Sequence, residues 1–231
     1  MLLGDEGVLR LKSSAVLVVG LGGVGSWAAE MICRAGVGRM TIADGDTVHA
    51  TNRNRQLPAM VSTEGEPKSL VMADRLRDIN PAIELTVINE YIRDERMIEV
   101  LGGGYDYVVD AIDTLSPKLF LLYHSVMMKI PVVSSMGSGG KFDPVRISVG
   151  DISETNSCPL ARMLRKRLHK LGVREGITAV YSPEPVDKSR VERVAGERNK
   201  ASVVGTMSYM PAAFGIACAS VVIRDLAGIP R

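Results

Sequence analysis

An apolar run followed at once by a glycine-rich turn constrains the fold of this chain more than any other feature. Residues 15–19 read Ala-Val-Leu-Val-Val, which is typical of a strand buried on both faces. Residues 20–25 satisfy the pattern G-x-G-x-x-G between a predicted strand and a predicted helix. Four glycines let the backbone approach a phosphate at the helix N-terminus: Gly20, Gly22, Gly23 and Gly25. The sequence therefore predicts a nucleotide-binding turn; the alternative is a turn that only lets the helix pack on the strand.

Strand-like and helix-like segments alternate from this turn to Gly140. We predict strands at 40–43, 85–88, 107–110 and 132–134, and helices at 27–35, 66–79, 94–101 and 117–129. Such alternation predicts an α/β fold with a Rossmann-like, doubly wound and mainly parallel sheet. A C-terminal mixed α/β extension follows, with predicted strands at 145–149 and 178–181 and helices at 159–171 and 210–226. We expect a single domain over 1–231, with a nucleotide-binding core at 1–140, an extension at 141–231 and a mobile loop at 182–206.

The composition excludes several other classes of protein. The 231 residues are 46% hydrophobic and carry a net charge of +2, which excludes a disordered chain and supplies enough apolar side chains for one core. Three scattered cysteines without a Cys-x-x-Cys pair argue against a structural zinc site and for a reducing cytoplasm: Cys33, Cys158 and Cys218. The apolar stretch 207–223 is short for a membrane span. We expect a buried helix there, with peripheral membrane association as the alternative.

Polar residues after the second predicted strand bear on which nucleotide is bound. Asp44 lies 19 residues beyond Gly25, where an acid can accept hydrogen bonds from ribose hydroxyls. The glycine turn and Asp44 alone favour NAD. The candidate residues that follow favour a triphosphate instead: Asp46, Asn52, Arg55, Gln56 and Lys68. Arg55 and Lys68 suit a triphosphate because negative charge develops on the leaving pyrophosphate when the α-phosphorus is attacked. A solvated, arginine-rich loop remains the alternative.

Two acids end the fourth predicted strand, at the sheet edge where such folds bind ligands. Asp113 is a candidate ligand for a cation that bridges phosphates, with Mg²⁺ as the expected ion and K⁺ or Na⁺ as further candidates. For Asp110 we predict a structural role, as a buried acid paired with a neighbouring helix.

These elements occur in the order that is typical of the adenylating enzymes related to ubiquitin-activating enzymes. That order is a glycine turn, an acid pair, N-x-x-R-Q, a lysine and a later aspartate. The chain therefore resembles this superfamily, which includes the activators of ThiS- and MoaD-type sulfur carriers. The resemblance implies an ATP site formed by the four glycines together with Asp44, Asp46, Asn52, Arg55, Gln56, Lys68 and Asp113. It also implies catalytic roles for Arg55, Lys68 and Asp113.

Several segments narrow the resemblance to the tRNA threonylcarbamoyladenosine dehydratase family: residues 22–30, 51–56, 136–144, 151–152, 159–161 and 181–182. This resemblance implies ATP-dependent dehydration, a cyclisation, of threonylcarbamoyladenosine next to the anticodon of a tRNA. The threonyl carboxylate would be adenylated with release of pyrophosphate, and ring closure would then expel AMP. The resemblance also implies a homodimer, and a cysteine desulfurase or sulfur acceptor is a further candidate partner.

A basic segment supplies a candidate surface for tRNA. One lysine and the cations of the predicted helix at 159–171 can contact phosphates without reading sequence: Lys141, Arg162, Arg165, Lys166, Arg167 and Lys170. Helical periodicity places Leu164, Leu168 and Leu171 on the face opposite Arg162, Arg165 and Lys166. A solvated amphipathic helix is the alternative. Basic residues of the expected mobile loop are further candidates for contact with tRNA or ATP: Lys188, Arg190, Arg193, Arg198 and Lys200.

Two other functions stay open at this point. The first is adenylation of the C-terminal glycine of a ThiS- or MoaD-like sulfur carrier, which usually accompanies a zinc site and a sulfur-handling cysteine. The second is a non-catalytic, NAD-binding regulator, which would need Asp44 and the glycine turn but neither Arg55 nor Lys68. A comparison of thermal stabilisation by ATP and by NAD discriminates the regulator from an adenylating enzyme.

Overall fold

One seven-stranded sheet organises the part of the chain that the computed structural model describes, residues 2–187, 191–192 and 203–230. Its strands are β1 (Ala15–Val19), β2 (Arg39–Ala43), β3 (Glu84–Ile88), β4 (Tyr107–Asp110), β5 (Val132–Ser135), β6 (Ser148–Asp151) and β7 (Thr178–Tyr181). Their spatial order is β3-β2-β1-β4-β5-β7-β6, and only β6 runs antiparallel to its neighbour. The order in which successive strands are added therefore changes direction between β1 and β4. At this switch point, ligands of such folds bind at the carboxyl ends of the strands.

Seven α-helices cover the two faces of this sheet among the described residues. They are α1 (Gly4–Ser13), α2 (Gly25–Arg34), α3 (Lys68–Ile79), α4 (Asp94–Leu101), α5 (Leu115–Met127), α6 (Pro159–Lys170) and α7 (Tyr209–Ala227). One apolar core lies between the sheet and α1, α2, α3 and α7, and a second lies between the sheet and α4, α5 and α6. The predicted doubly wound α/β fold is thus confirmed, and α4, β4 and β7 have the predicted bounds.

Helix α1 is the element that the sequence pattern does not predict. It begins at Gly4, which has a φ of +63°, and it buries only Gly7 and Leu11. Because so few of its side chains are buried, no regular apolar period marks it. Gly7 packs against the end of α7, where an added Cβ would lie 3.7 Å from the Cβ of Ala227.

The strand predicted at 145–149 is displaced towards the C-terminus. Residues Pro144–Arg146 form a short 3₁₀-helix because the Asp143 carboxylate accepts a hydrogen bond from the Val145 N–H at 3.0 Å. Pro144 has no N–H to offer a neighbouring strand, so pairing with β7 begins only at Ser148. β6 and β7 continue the sheet that β1–β5 begin, so residues on both sides of Gly140 share one sheet.

Helix α7 is a core helix, as predicted. It is long and apolar enough to cross a membrane by length and composition, but it packs against α1, α2 and the sheet. At the closest approach, a Cβ on Gly215 would lie 2.4 Å from the Val24 carbonyl oxygen of the turn that leads into α2. Its small residues therefore serve packing within the chain.

A second, two-stranded sheet lies outside the seven-stranded one. Strands β8 (Val191–Glu192) and β9 (Val203–Val204) form a two-stranded antiparallel pair. Asn54 donates a hydrogen bond from Nδ2 to the Thr206 carbonyl oxygen at 3.3 Å, which ties the chain after β9 to the loop that follows β2. The mobile loop predicted at 182–206 stays a prediction, and residues 188–190 and 193–202 of it lie outside the described residues.

Candidate active site

The glycine turn requires glycine at its two ends and leaves space at Gly22. Gly20 has a φ of +90°, and an added Cβ there would lie 2.8 Å from the Ala111 carbonyl oxygen. A Cβ on Gly25 would lie 1.7 Å from the Gly20 carbonyl oxygen, so a side chain is excluded there too. A Cβ on Gly22 would meet only the Gln56 amide, at 3.6 Å. The backbone at Gly22 is therefore open to a ligand in the way that a phosphate-binding turn requires.

Arg55 and Gln56 lie directly against this turn. A Cβ on Gly23 would lie 3.4 Å from the Arg55 Cγ and 2.9 Å from the Pro211 Cβ. The Arg55 guanidinium donates from Nη1 to the Thr51 carbonyl oxygen at 3.0 Å and to the Asn54 Oδ1 at 2.8 Å. The structure thus brings the predicted arginine to the predicted turn.

Gln56 carries the clearest sign of a missing partner. Its Oε1 is buried, and no hydrogen-bond partner for it exists in the described part of the chain. Because a buried acceptor without a donor costs about 1–3 kcal/mol, such a group indicates a donor that the protein itself does not supply. Asn52 next to it is also buried, but its Oδ1 accepts a hydrogen bond from the His49 N–H at 3.1 Å.

Asp44 connects the end of β2 to the glycine turn by a hydrogen bond. Its Oδ2 accepts from the Leu21 N–H at 2.6 Å, and its Oδ1 accepts from the Asp46 N–H at 2.8 Å. Burial raises the pKa of Asp44, and these two backbone hydrogen bonds oppose the rise only in part. Both oxygens therefore already hold the backbone, and ribose binding by Asp44 stays a prediction that uses their remaining lone pairs.

Asp46 forms an ion pair with Lys68, which begins α3. The Lys68 Nζ lies 2.9 Å from the Asp46 Oδ2, and the Lys68 side chain is 4% exposed whereas that of Asp46 is 46% exposed. Tyr91, which the sequence analysis missed, donates its hydroxyl to the Asp46 Oδ1. This hydrogen bond is the main reason that the pKa of Tyr91 rises to about 12. No local signal points to Tyr91, because the contact joins residues 45 positions apart.

The acids Asp110 and Asp113 differ in burial. Asp110 is fully buried, and its Oδ2 lies 2.7 Å from the Nζ of Lys118, in the first turns of α5. The predicted pairing of Asp110 with a neighbouring helix is therefore confirmed, although the sequence analysis did not name Lys118. Asp113 lies three residues later on the exposed side of the same turn. Among the described residues, no group of three or more His, Cys, Asp or Glu side chains could hold a metal ion.

The candidate tRNA cations fall into different environments. Lys141 is 1% exposed and donates from Nζ to the carbonyl oxygens of Ser182 and Glu184, and burial lowers its pKa. Its ammonium therefore faces these carbonyls and not the surface, which differs from the expected tRNA contact. The acceptors are about forty residues away along the chain, so the sequence around Lys141 gives no sign of this burial.

Helix α6 presents its cations largely as predicted. Arg162, Lys166, Arg167 and Lys170 are exposed, whereas Ala161, Leu164 and Leu168 are buried. Arg165 is half-buried and donates to the Thr155 hydroxyl, so it also holds the turn before α6. Leu171, which was predicted on the face of Leu164 and Leu168, is 48% exposed because α6 ends at Lys170 and the chain turns away. Lys188, Arg190, Arg193, Arg198 and Lys200 lie outside the described residues.

Together these features define the class of the protein, which is a Rossmann-like α/β protein with a candidate polyphosphate site. The turn and the N-terminus of α2 lie at the switch point of a Rossmann-like sheet, and Arg55 packs against the turn. Lys68 is connected to the turn through Asp46 and Asp44. Such an arrangement can bind a polyphosphate and neutralise charge on it. The chain belongs to the ThiF family, whose pattern matches residues 1–231.

The relatives share more than this family pattern. The tRNA threonylcarbamoyladenosine dehydratase of Bacillus subtilis is 38% identical, and the alignment covers 97% of this chain and 91% of that protein. The crystal structure of Escherichia coli tRNA N6-threonylcarbamoyladenosine dehydratase in complex with ATP is similar with a TM-score of 0.89. It is 34% identical, and the match covers 98% of this chain and 91% of that one. The molybdopterin-synthase adenylyltransferase of Salmonella typhimurium is 38% identical over only 56% of this chain.

Proposed function

We propose that this chain is an ATP-dependent tRNA-modifying enzyme that dehydrates threonylcarbamoyladenosine next to the anticodon. The observation that carries the proposal is the similarity to the ATP-bound Escherichia coli dehydratase over 98% of this chain. The Bacillus subtilis dehydratase matches 97% of the chain, whereas the molybdopterin-synthase adenylyltransferase matches 56% of it. This difference in coverage supports a tRNA substrate over a sulfur-carrier substrate.

The residues present fit ATP. Gly22 leaves the backbone open to a phosphate, and Lys68 and Arg55 supply positive charge beside the turn. The unpartnered Oε1 of Gln56 needs a donor, and a ribose hydroxyl is one. We therefore propose an ATP site made of these candidate residues: Gly20, Gly22, Gly23, Gly25, Asp44, Asp46, Asn52, Arg55, Gln56, Lys68 and Asp113.

ATP supplies an activated phosphorus to which the threonyl carboxylate bonds, with pyrophosphate as the leaving group. Arg55 and Lys68 stabilise the negative charge that develops on the phosphate oxygens. An atom of the same modified side chain then closes the ring on the activated carbon, and AMP leaves. The net change is loss of water, so the protein needs no nucleophile of its own and acts by positioning and by charge.

Asp113 is proposed to hold Mg²⁺ together with phosphate oxygens. A single carboxylate suits Mg²⁺, because this ion usually keeps several water ligands and binds one or two carboxylates plus phosphates. K⁺ or Na⁺ is a second candidate at the same site.

The exposed cations of α6 are proposed to contact tRNA phosphates, with Lys141 playing no direct part. A homodimer, a sulfur-acceptor partner and a cytoplasmic location are further proposals, which are implied by the resemblance to the dehydratases. The division into a nucleotide-binding core at 1–140 and a substrate-binding and dimerisation extension at 141–231 is proposed on the same ground.

The test supplies ATP with tRNA that carries threonylcarbamoyladenosine, or with the same tRNA lacking the modification. We expect AMP, pyrophosphate and a nucleoside lighter by one water only with the modified tRNA. The Arg55→Ala variant should lose turnover, whereas Arg53→Ala on the same loop should keep it, because Arg53 pairs with Glu64. AMP formation that requires a sulfur-carrier protein, or stabilisation by NAD in preference to ATP, would replace the proposal with one of the two alternatives.

A further inference from the structure

A buried polar network lies beneath the turn that follows β4 and uses none of the residues proposed to contact ATP. At its centre, the Lys118 Nζ lies 2.7 Å from the Asp110 Oδ2, and both side chains are 0% exposed. The Ser134 hydroxyl of β5 donates to the same carboxylate oxygen at 2.6 Å. Three elements, β4, β5 and α5, therefore meet in one set of hydrogen bonds.

The other hydrogen bonds of this network end on the backbone of the turn. Lys118 donates from Nζ to the Ile112 carbonyl oxygen at 3.1 Å, and the Ile112 N–H donates to the Asp110 Oδ1 at 3.1 Å. Both polar groups of the Ile112 backbone are thus held by the ion pair. Since Asp113 follows directly, the pair sets the direction in which the chain presents Asp113.

The same turn forms one wall of the glycine turn. The Ala111 N–H donates to the Val19 carbonyl oxygen at 2.9 Å, and a Cβ on Gly20 would lie only 2.8 Å from the Ala111 carbonyl oxygen. The Ala111 Cβ also packs near Gly25, at 2.9 Å from the position of an added Cβ. A shift of the turn at 110–113 would therefore displace the backbone that we propose to bind phosphates.

Stability alone is a weak reason for such a pair. Replacing a buried ion pair by well-packed neutral side chains is often neutral or stabilising, because the desolvation of two charges offsets their attraction. An ion pair that holds both backbone polar groups of Ile112 has a further effect, which is to restrict that turn to one conformation.

We infer that Lys118 is a positioning residue. With Asp110 and Ser134, it fixes the turn at 110–113 so that Asp113 and the glycine turn keep the relative placement that turnover requires. This inference rests on the proposed function, because it concerns the geometry of the same site.

The test compares the full-length chain with the double variant Asp110→Asn/Lys118→Met, in which both charges are removed together. The measurements are the thermal midpoint, kcat and KM for modified tRNA, and the affinity for ATP with Mg²⁺ from the fluorescence of Trp27, the single tryptophan. We expect a midpoint close to wild type, a KM within about twofold, and a kcat lower by about 10- to 100-fold. A folded double variant with wild-type kcat overturns the inference.

Two further variants make every outcome informative. Glu30→Gln removes another buried carboxylate, which pairs with Arg34 and Arg75 away from the turn, and it should leave kcat unchanged. If the double variant does not fold, Ser134→Ala decides, since it removes only the hydroxyl that donates to Asp110. A several-fold fall in its kcat supports positioning, and wild-type kcat overturns it.

The same set of proteins separates this inference from the proposed function. If the wild-type protein does not dehydrate the modified tRNA, the proposed function fails, and affinity for ATP with Mg²⁺ becomes the deciding measurement. A several-fold weaker affinity in the double variant then supports the positioning role, and an unchanged affinity contradicts it.

Discussion

Two lysine–aspartate pairs lie at the same edge of the sheet and differ in their surroundings. The Lys68–Asp46 pair has a distance of 2.9 Å, and its carboxylate is 46% exposed. The Lys118–Asp110 pair has a distance of 2.7 Å, and neither side chain is exposed. The first pair can redirect its cation to a ligand because water can solvate Asp46. The second pair cannot separate without leaving a charge buried, so it can hold the backbone but cannot bind a ligand.

The largest expected effect is on stability and follows directly from this contrast. Lys118→Met leaves the Asp110 carboxylate buried and unpaired, so it should lower the free energy of unfolding by about 3–5 kcal/mol. Lys68→Met leaves a half-exposed carboxylate, and the loss should stay within about 1 kcal/mol. Urea unfolding at neutral pH measures both values. Equal losses in the two variants would remove the distinction between the pairs.

For turnover, we expect the loss of Lys68 to have a much larger effect than the loss of an exposed cation on the same helix. Lys68→Ala should lower kcat by about 10²- to 10³-fold, because it removes a cation aimed at developing phosphate charge. Arg77→Ala on α3 is the matched control, since Arg77 is exposed and its carboxylate partner Asp74 lies 3.7 Å away. Steady-state release of pyrophosphate with modified tRNA provides the measurement. A Lys68→Ala enzyme that retains wild-type kcat would exclude Lys68 from catalysis.

Two carboxylates, Asp44 in the candidate site and Glu30 in α2, have pKa shifts in opposite directions. Burial raises the pKa of Asp44 above 3.8. Burial acts in the same direction on Glu30, but Arg75 and Arg34 outweigh it and lower the pKa below 4.5. The contribution of Asp44 to stability should therefore fall as the pH rises from 3.8 through its folded pKa. That of Glu30 is present above 4.5 and should be lost as the pH falls through its folded pKa.

The corresponding experiment follows unfolding free energies of wild type, Asp44→Asn and Glu30→Gln between acid and neutral pH. Each difference from wild type should change by about 1.4 kcal/mol for each unit of pKa shift, with opposite signs for the two variants. Slopes of the same sign would show that one of the two carboxylates does not have the environment described above.

Local sequence patterns predicted the sheet and the glycine turn because both depend largely on neighbouring residues. β1 is five consecutive apolar residues buried on both faces, and the close approach that requires glycine at Gly25 is to the Gly20 carbonyl oxygen, five positions away. The role of Asp110 was also predictable, since an acid at the end of a buried strand needs a partner.

Contacts between distant residues account for what the sequence did not reveal. Lys141 was predicted to contact tRNA, but its acceptors are the backbone carbonyls of Ser182 and Glu184. Tyr91 gives no signal because its partner, Asp46, lies on another loop. Helix α1 buries too few side chains to show a helical period of apolar residues, so the sequence did not predict it. In the structure it packs against α7.

The smallest expected effect concerns two arginines of α6, one of which is exposed to solvent and the other hydrogen-bonded within the chain. Arg162 is exposed, whereas Arg165 donates to the Thr155 hydroxyl. If α6 contacts tRNA phosphates, Arg162→Ala should raise KM for modified tRNA a few-fold and reduce the salt dependence of binding by about one counterion. Arg165→Ala should lower the thermal midpoint as well, because it releases the turn before α6. Since the salt dependence reports phosphate contacts and the midpoint reports packing, the two variants separate an RNA-binding helix from a merely solvated one. A salt dependence unchanged in Arg162→Ala would place the tRNA on another face.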